Sequence, residues 1–317
     1  MIYKLRSNRV HRTYTGGRKI DAFTGIPAPE ARMPEDWTAS ITSALNGNGD
    51  PEGIGVTQDG QLLSDIIGAD EYPLLVKLLN SDERLVIQAH PTVAFAREYL
   101  NSDYGKTECW YFLDCDDDAY VYIGFKEGVT RAKWEQVFLE QDIPSMTGML
   151  HKVPVKKGDF IFVDGGVPHA IGPGCFMIEL QEPSDLMVVA ERFTPSGREI
   201  PARRMDMGLS FSRMMDVYDY TPMSFQELKQ RLMPEPKLLS KGVTEILGST
   251  TTDKFRMLRL CDAGSVEIPK KYAVAICISG NGVLNDTTVV RGDRMLLKQE
   301  SLITFSGTDE FSVVLCY

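Results

Sequence analysis

The stretch Arg84-Leu85-Val86-Ile87-Gln88-Ala89-His90-Pro91 opens a segment, running to Val189, around which the rest of the chain is arranged. Leu85-Val86-Ile87 is a short, partly β-branched apolar run and reads as a strand. Successive side chains alternate along a strand, so Gln88 and His90 share one face and Ala89 takes the other. Further on, Glu108-Cys109-Trp110-Tyr111-Phe112-Leu113 is a second strand-like run. A third stretch, Lys157-Gly158-Asp159-Phe160-Ile161-Phe162-Val163-Asp164-Gly165-Gly166-Val167-Pro168-His169, ends a strand in a Gly-Gly turn and is expected to re-enter the sheet at a histidine. Two imidazoles, a carboxylate and an amide carbonyl are the donors of a divalent-cation site.

The chain has 317 residues, 43% of them hydrophobic, enough for a large core and more in keeping with two domains than one. Met1-Ile2-Tyr3-Lys4-Leu5-Arg6 has no apolar signal region, and no uncharged apolar run is long enough to span a bilayer. A cytoplasmic protein without membrane partners is expected. The formal charge of -10 argues against nucleic acid as a partner and makes any anionic substrate depend on a few particular Lys or Arg side chains. Cys109, Cys115, Cys175, Cys261, Cys277 and Cys316 lack C-x-x-C spacing and read as reduced core thiols.

Along the chain, residues 1–60 are rich in Gly, Pro, Thr and Asn and read as a wrap around a sheet, with a short helix expected at Ala39 to Leu45. Leu62 to Ile67 suggests a helix, and Tyr72 to Leu79 a strand whose leucines equally suit a helix. Pro91 and Thr92 start a helix carrying Val93, Ala96 and Leu100. Tyr111-Phe112-Leu113 and Ala119 to Phe125, separated by an acidic turn, are expected to form a hairpin. Thr130 caps a helix bearing Trp134, Val137 and Phe138, and strands resume at Val153, Phe160, Phe176 to Leu180 and Met187 to Ala190. Many short strands with Gly/Pro punctuation indicate a mainly β antiparallel barrel or sandwich with a pocket inside. Helices follow between Met205 and Leu232, including a capping box at Ser224-Phe225-Gln226-Glu227. After Met233-Pro234-Glu235-Pro236 the chain returns to short strands without a single histidine. The expected division is residues 1–200, holding the site, a helical link at 201–236, and a structural β unit at 237–317.

These motifs resemble those of the cupin superfamily, and within it the short bacterial type I mannose-6-phosphate isomerases. Gly158 to His169 follows the second cupin motif, with Asp164 at its proline position. More specific are Gln88-Ala89-His90-Pro91, Gly105-Lys106-Thr107-Glu108-Cys109-Trp110-Tyr111, Pro168-His169-Ala170-Ile171-Gly172 and Glu179-Leu180-Gln181-Glu182-Pro183-Ser184-Asp185. The likeness extends more weakly to Tyr14-Thr15-Gly16-Gly17 and Pro34-Glu35-Asp36-Trp37. It implies two cupin (double-stranded β-helix) barrels in tandem, with inserted and linking helices, the second barrel without metal ligands.

The resemblance matches Gln88, His90, Glu108 and His169 to zinc ligands, one ion per chain, although iron, manganese and nickel suit the same donors. It implies an aldose–ketose isomerase for mannose 6-phosphate and fructose 6-phosphate, proceeding through an enediol and working as a monomer or weak homo-oligomer. Asp185 matches an acidic residue of the family and is the candidate general base. Lys106 shares a face with Glu108 by alternation and is the first choice to contact a substrate oxygen. Where an arginine is usual in the closest isomerases this chain has Val189, so another cation must serve a phosphate: Lys106 first, then Arg192, Arg203 or Arg204. Two other readings follow from Val189: an isomerase of a different or unphosphorylated sugar, and a metal-containing cupin that binds carbohydrate without turnover.

Overall fold

The computed structural model describes residues 1–45, 52–68, 71–298, 301–308 and 310–317. Its first β unit has two antiparallel sheets. One runs Arg9–Val10, Glu35–Thr38, Leu75–Asn80, Cys175–Gln181, Glu108–Cys115, Phe160–Val163. The other runs Val188–Val189, Gln88–Ala89, His169–Ile171, Tyr120–Phe125, Leu150–Pro154. Trp110, Phe112 and Ile178 of the first share a core with Val121, Ile123, Val153 and Ile171 of the second.

The second unit pairs a seven-stranded sheet with a four-stranded one. In the seven-stranded sheet Val274, Ile276, Leu296, Val314 and Cys316 join the core of the first unit. Their neighbours Ala273, Ala275, Met295, Leu297, Val313 and Leu315 pack the second unit's own core. This period of two is what a sheet covered on both faces requires. Ile2–Lys4 pairs with Arg294–Lys298, so the first residues of the chain are an edge strand of this C-terminal sheet.

Double coverage also explains the ambiguity of Tyr72 to Leu79. Leu75–Asn80 is a strand with all six residues buried, and a strand buried on both faces shows a continuous apolar run rather than alternation. Two local expectations are corrected. Residues 39–45 form no helix: Ala39 has φ 54°, and the Ser40 hydroxyl accepts from the Thr42 N–H at 3.0 Å, giving that N–H a turn partner in place of a helical carbonyl. Nor do Tyr111–Leu113 and Ala119–Phe125 form a hairpin. Glu108–Cys115 pairs with Cys175–Gln181 and Phe160–Val163, whereas Tyr120–Phe125 pairs with His169–Ile171 and Leu150–Pro154. The acidic turn carries the chain from one sheet to the other, and Lys19 anchors it by ion pairs to Asp114 and Asp116. The Gly165-Gly166 turn likewise crosses between sheets, so His169 enters a different sheet from the strand preceding it.

The helices Val93–Tyr99 and Arg131–Glu140 are capped by Thr92 and Thr130, and Phe225–Leu232 has the full Ser224/Glu227 capping box. Among the described residues, no helix is long and apolar enough to cross a membrane.

Candidate metal centre and the cavity above it

Gln88 lies opposite His169 in the second sheet, and Glu108 begins the strand of the first that runs between Cys175–Gln181 and Phe160–Val163, so the two sheets bring these side chains face to face. Donor atoms of His90, Glu108 and His169 all lie within 4.8 Å of one another, and all three residues are buried. The backbone holds them closely. Gly166 N–H donates to the His90 carbonyl at 2.7 Å from a left-handed conformation of φ +88°, which favours glycine. At Gly105 a Cβ would meet the Pro91 carbonyl at 2.6 Å, so only glycine lets the segment before Glu108 lie against the loop after His90.

The outer contacts of the imidazoles fit a cation site. His90 Nδ1 faces the Leu186 carbonyl at 2.9 Å and His169 Nδ1 the Val167 carbonyl at 3.0 Å. A carbonyl only accepts, so both Nδ1 atoms carry the proton and both Nε2 lone pairs turn inward. Those Nε2 atoms lie 3.2 Å and 3.4 Å from the Glu108 carboxylate. Burial, aided by Lys106, lowers His90, and burial takes His169 to about 3, so both rings are neutral donors. Burial disfavours the Glu108 carboxylate, but the Lys106 ammonium holds it well below the usual carboxylate range. Gln88 Nε2 lies 3.2 Å from His169 Nε2, and a half-turn of the amide presents its oxygen there. The Lys106 ammonium contacts His90 Nε2 at 2.8 Å and Glu108 Oε2 at 2.5 Å, so positive charge is already favoured among these donors. Two neutral imidazoles, a carboxylate and an amide suit Zn²⁺ or another borderline divalent ion.

A cavity of about 760 Å³ opens above this cluster, and Gln88, Lys106, Glu179 and Asp185 line it. Glu179 is buried, 3.2 Å from Lys77 Nζ and 3.6 Å from Lys106 Nζ. Burial, with Glu108 adding to it, lifts its carboxyl to about 7 against the pull of both lysines. Its Oε2 has no hydrogen-bond partner among the described residues. Asp185 is held differently. Arg12 donates to its two oxygens at 2.9 and 2.7 Å, and Leu45 N–H adds a third bond at 2.9 Å. Burial would raise this carboxyl, but Arg12 keeps it well below the ordinary range, so Asp185 is a weak base with its lone pairs engaged.

Arg192 does not reach the cavity; its side chain is exposed and its backbone N–H donates to Gln141. Val189 lies opposite Gln88 and lines the wall, as do Arg203 and Arg204 of the helix Ala202–Asp206. Arg84, also in the wall, is taken up by a two-pronged pair with Glu191 at 2.6 and 2.7 Å.

Two buried cations were not singled out from sequence. Arg12 bridges Asp185 and Glu35, and Lys77 bridges Glu179 at 3.2 Å and Glu35 at 3.7 Å. Glu35 also accepts from Tyr14 and Trp37, which gives the Tyr14 to Gly17 and Pro34 to Trp37 stretches a shared purpose. The available signal for Lys77 was a lone lysine inside a leucine run, since a charge on a doubly covered strand needs buried partners.

No family model matches the chain. Its curated relatives are mannose-6-phosphate isomerases. "Probable mannose-6-phosphate isomerase GmuF" of Bacillus subtilis (strain 168) is 28% identical over 312 residues, 94% of each chain. Mannose-6-phosphate isomerase ManA of the same strain is 33% identical over 186 residues, about half (54%) of each chain. The mannose 6-phosphate isomerase structure from Bacillus subtilis superposes with a TM-score of 0.78 at 21% identity, covering 100% of this chain and 99% of that one. A point variant of phosphomannose isomerase from Salmonella typhimurium gives 0.74 at 15% identity, over 100% and 99%. The fold is therefore the cupin-type fold of these structures, and the resemblance read from the motifs is the relationship the comparisons return.

Proposed function

We propose that the chain is an aldose–ketose isomerase for sugar phosphates, with mannose 6-phosphate and fructose 6-phosphate as its pair. The observation that carries this reading is the His90–Glu108–His169 donor set, with Lys106 and Glu179 beside it, beneath a cavity whose wall carries Arg203 and Arg204. The kinship with mannose-6-phosphate isomerases supports it.

The sugar enters with its carbonyl end towards Gln88 and Lys106. A divalent cation held by Gln88, His90, Glu108 and His169, zinc as the first choice, supplies Lewis-acid stabilisation of negative charge developing on the substrate oxygens. Glu179 takes the C2 proton, leaving an enediolate, and returns it to C1 while the hydroxyl proton of O2 passes to O1, so nothing is gained or lost overall. Lys106 donates a hydrogen bond to the developing oxyanion. Asp185, clamped by Arg12, positions the wall instead of exchanging protons. The phosphate is served by Arg203 and Arg204, which replace Lys106 as our choice because Lys106 is engaged among the metal donors. A phosphorylated substrate is consistent with the cytoplasmic location expected from the sequence.

His169→Ala is expected to lower metal content well below one equivalent per chain, measured by elemental analysis, and to abolish turnover in a coupled isomerase assay. A full equivalent bound with parental affinity would count against the ligand set. Lys106→Met keeps the stem and loses the charge, and should cost about ten- to a hundredfold in kcat/KM with metal content intact. The Arg203→Met/Arg204→Met double variant should raise KM for mannose 6-phosphate by about tenfold or more and leave free mannose unaffected. Val189 favours one second reading, an isomerase of neutral sugars. Equal turnover of mannose and its phosphate by the parent protein would establish it in place of the first.

A further inference from the structure

A second cavity, of about 700 Å³, lies at the junction of the two β units. The rings of Phe23 and Phe176 from the first unit and Phe311 from the second are among its walls, together with three cations from three different elements. Lys157 comes from the turn before Phe160–Val163, Arg259 from the strand Met257–Cys261, and Arg291 from the turn after Thr287–Val290. None of the three forms an ion pair with a described residue, and although Tyr111 and Cys261 lie within hydrogen-bonding reach of the Arg259 side chain, its buried Nε has no hydrogen-bond partner among the described residues. Arg291 is held over the Phe23 ring at 4.9 Å and donates to the Ala22 carbonyl at 3.4 Å. The remaining lining charges do not offset them: Lys19 and Asp114 satisfy each other at 2.6 Å, which leaves Glu310.

Three cations thus face one cleft against a single uncommitted carboxylate, Glu310, in a chain of formal charge -10. An anion seated there meets this excess of positive charge and gives the Arg259 Nε a partner. The volume falls within the roughly 300 to 1,000 Å³ usual for small-molecule sites, and the aromatic walls suit a ring-bearing body. We infer that this cleft is a second ligand site, separate from the metal-centre cavity, that binds a phosphate monoester of mononucleotide size. Its ligand bridges the two β units and so gives the C-terminal unit a binding role. The site also adjoins the first: Tyr111 to Asp114 and Phe176, which line it, belong to the same two strands that carry Glu108 and Glu179.

The test is calorimetric titration of the full chain with AMP, glucose 6-phosphate and inorganic phosphate. Saturable binding of one equivalent of AMP or glucose 6-phosphate is expected, the stronger of the two showing whether the body is a base or a sugar. Binding should persist in the Arg203→Met/Arg204→Met variant and weaken about tenfold or more in Arg259→Met and in Arg291→Met. Lys157→Met and Arg291→Met alter exposed side chains and decide the matter if Arg259→Met does not fold. The inference is overturned if neither ester binds, if inorganic phosphate binds as well as both, if binding survives the cleft substitutions, or if it is lost in the Arg203/Arg204 variant.

Discussion

Glu179→Gln is expected to lower kcat on mannose 6-phosphate by about 10²- to 10⁴-fold, the usual range for loss of a positioned general base. The change is nearly isosteric and keeps an oxygen for one of the two lysines, Lys77 on Oε2 and Lys106 on Oε1, so cavity shape and metal content should hold. What it removes is a carboxylate lifted to about 7 by burial, with Glu108 adding to it, in the wall of the substrate cavity. Three carboxylates line the same cavity in contrasting states: Asp185 has both oxygens on Arg12 and Glu35 accepts from Tyr14 and Trp37, whereas Glu179 Oε2 has no hydrogen-bond partner among the described residues. A base needs an oxygen outside any hydrogen bond and an affinity for protons near the working pH, and of the three only Glu179 combines an oxygen without a hydrogen bond with a raised carboxyl. The discriminating measurement is exchange of the C2 proton of mannose 6-phosphate with solvent deuterium, followed beside steady-state turnover and elemental analysis. Loss of exchange with a full metal equivalent supports the assignment. If exchange proceeds within about threefold of the parent, Glu179 is not the base and the proton is handled elsewhere.

The residues legible in the sequence were those whose role is announced within a few positions. Gln88 and His90 alternate on one strand, and Lys106 and Glu108 are spaced for one face; the structure sets Lys106 Nζ 2.5 Å from Glu108. Thr130 and the Ser224 capping box marked their helices for the same reason, because a cap acts on the turn that follows it. Partnership between strands was not legible. Period-two alternation says which way a side chain points but not which strand lies beside it, so the two runs flanking the acidic turn read as a hairpin while the fold sends them to different sheets. Arg12 and Lys77 escaped notice because their meaning lies with Asp185, Glu35 and Glu179, distant in sequence and brought near only by closure of the sheets. The expectation of Asp185 as base was drawn without that partner in view: the position carries a carboxylate, but Arg12, which donates to both of its oxygens, lies at the other end of the unit.

Arg12→Met is expected to destabilise the protein at neutral pH by about 3 to 5 kcal/mol, the cost of removing one partner from a buried ion pair. The stem is retained, so lost packing is small. The loss falls on Asp185 and Glu35, whose side chains are 1% and 3% exposed and which Arg12 contacts at 2.7 and 3.0 Å. In the parent, burial opposes both carboxylates, but Arg12 lowers both, Asp185 well below the ordinary range. A carboxyl depressed in the folded state adds stability above its unfolded value, about 3.9 for Asp, and that stability is lost only as pH falls through the lower folded value. Without Arg12, burial dominates and raises Asp185, so the sign reverses: the folded variant prefers a neutral acid and loses stability as pH rises above about 4. The gap between parent and variant should therefore be widest near neutral pH and narrow on acidification towards 4, in urea unfolding curves at a series of pH values. Arg12→Met/Asp185→Asn should recover much of the neutral-pH loss, because the amide removes the stranded charge. A gap that stays constant with pH, or a double variant no more stable than the single one, would mean that Arg12 supports the fold by packing rather than by neutralising Asp185.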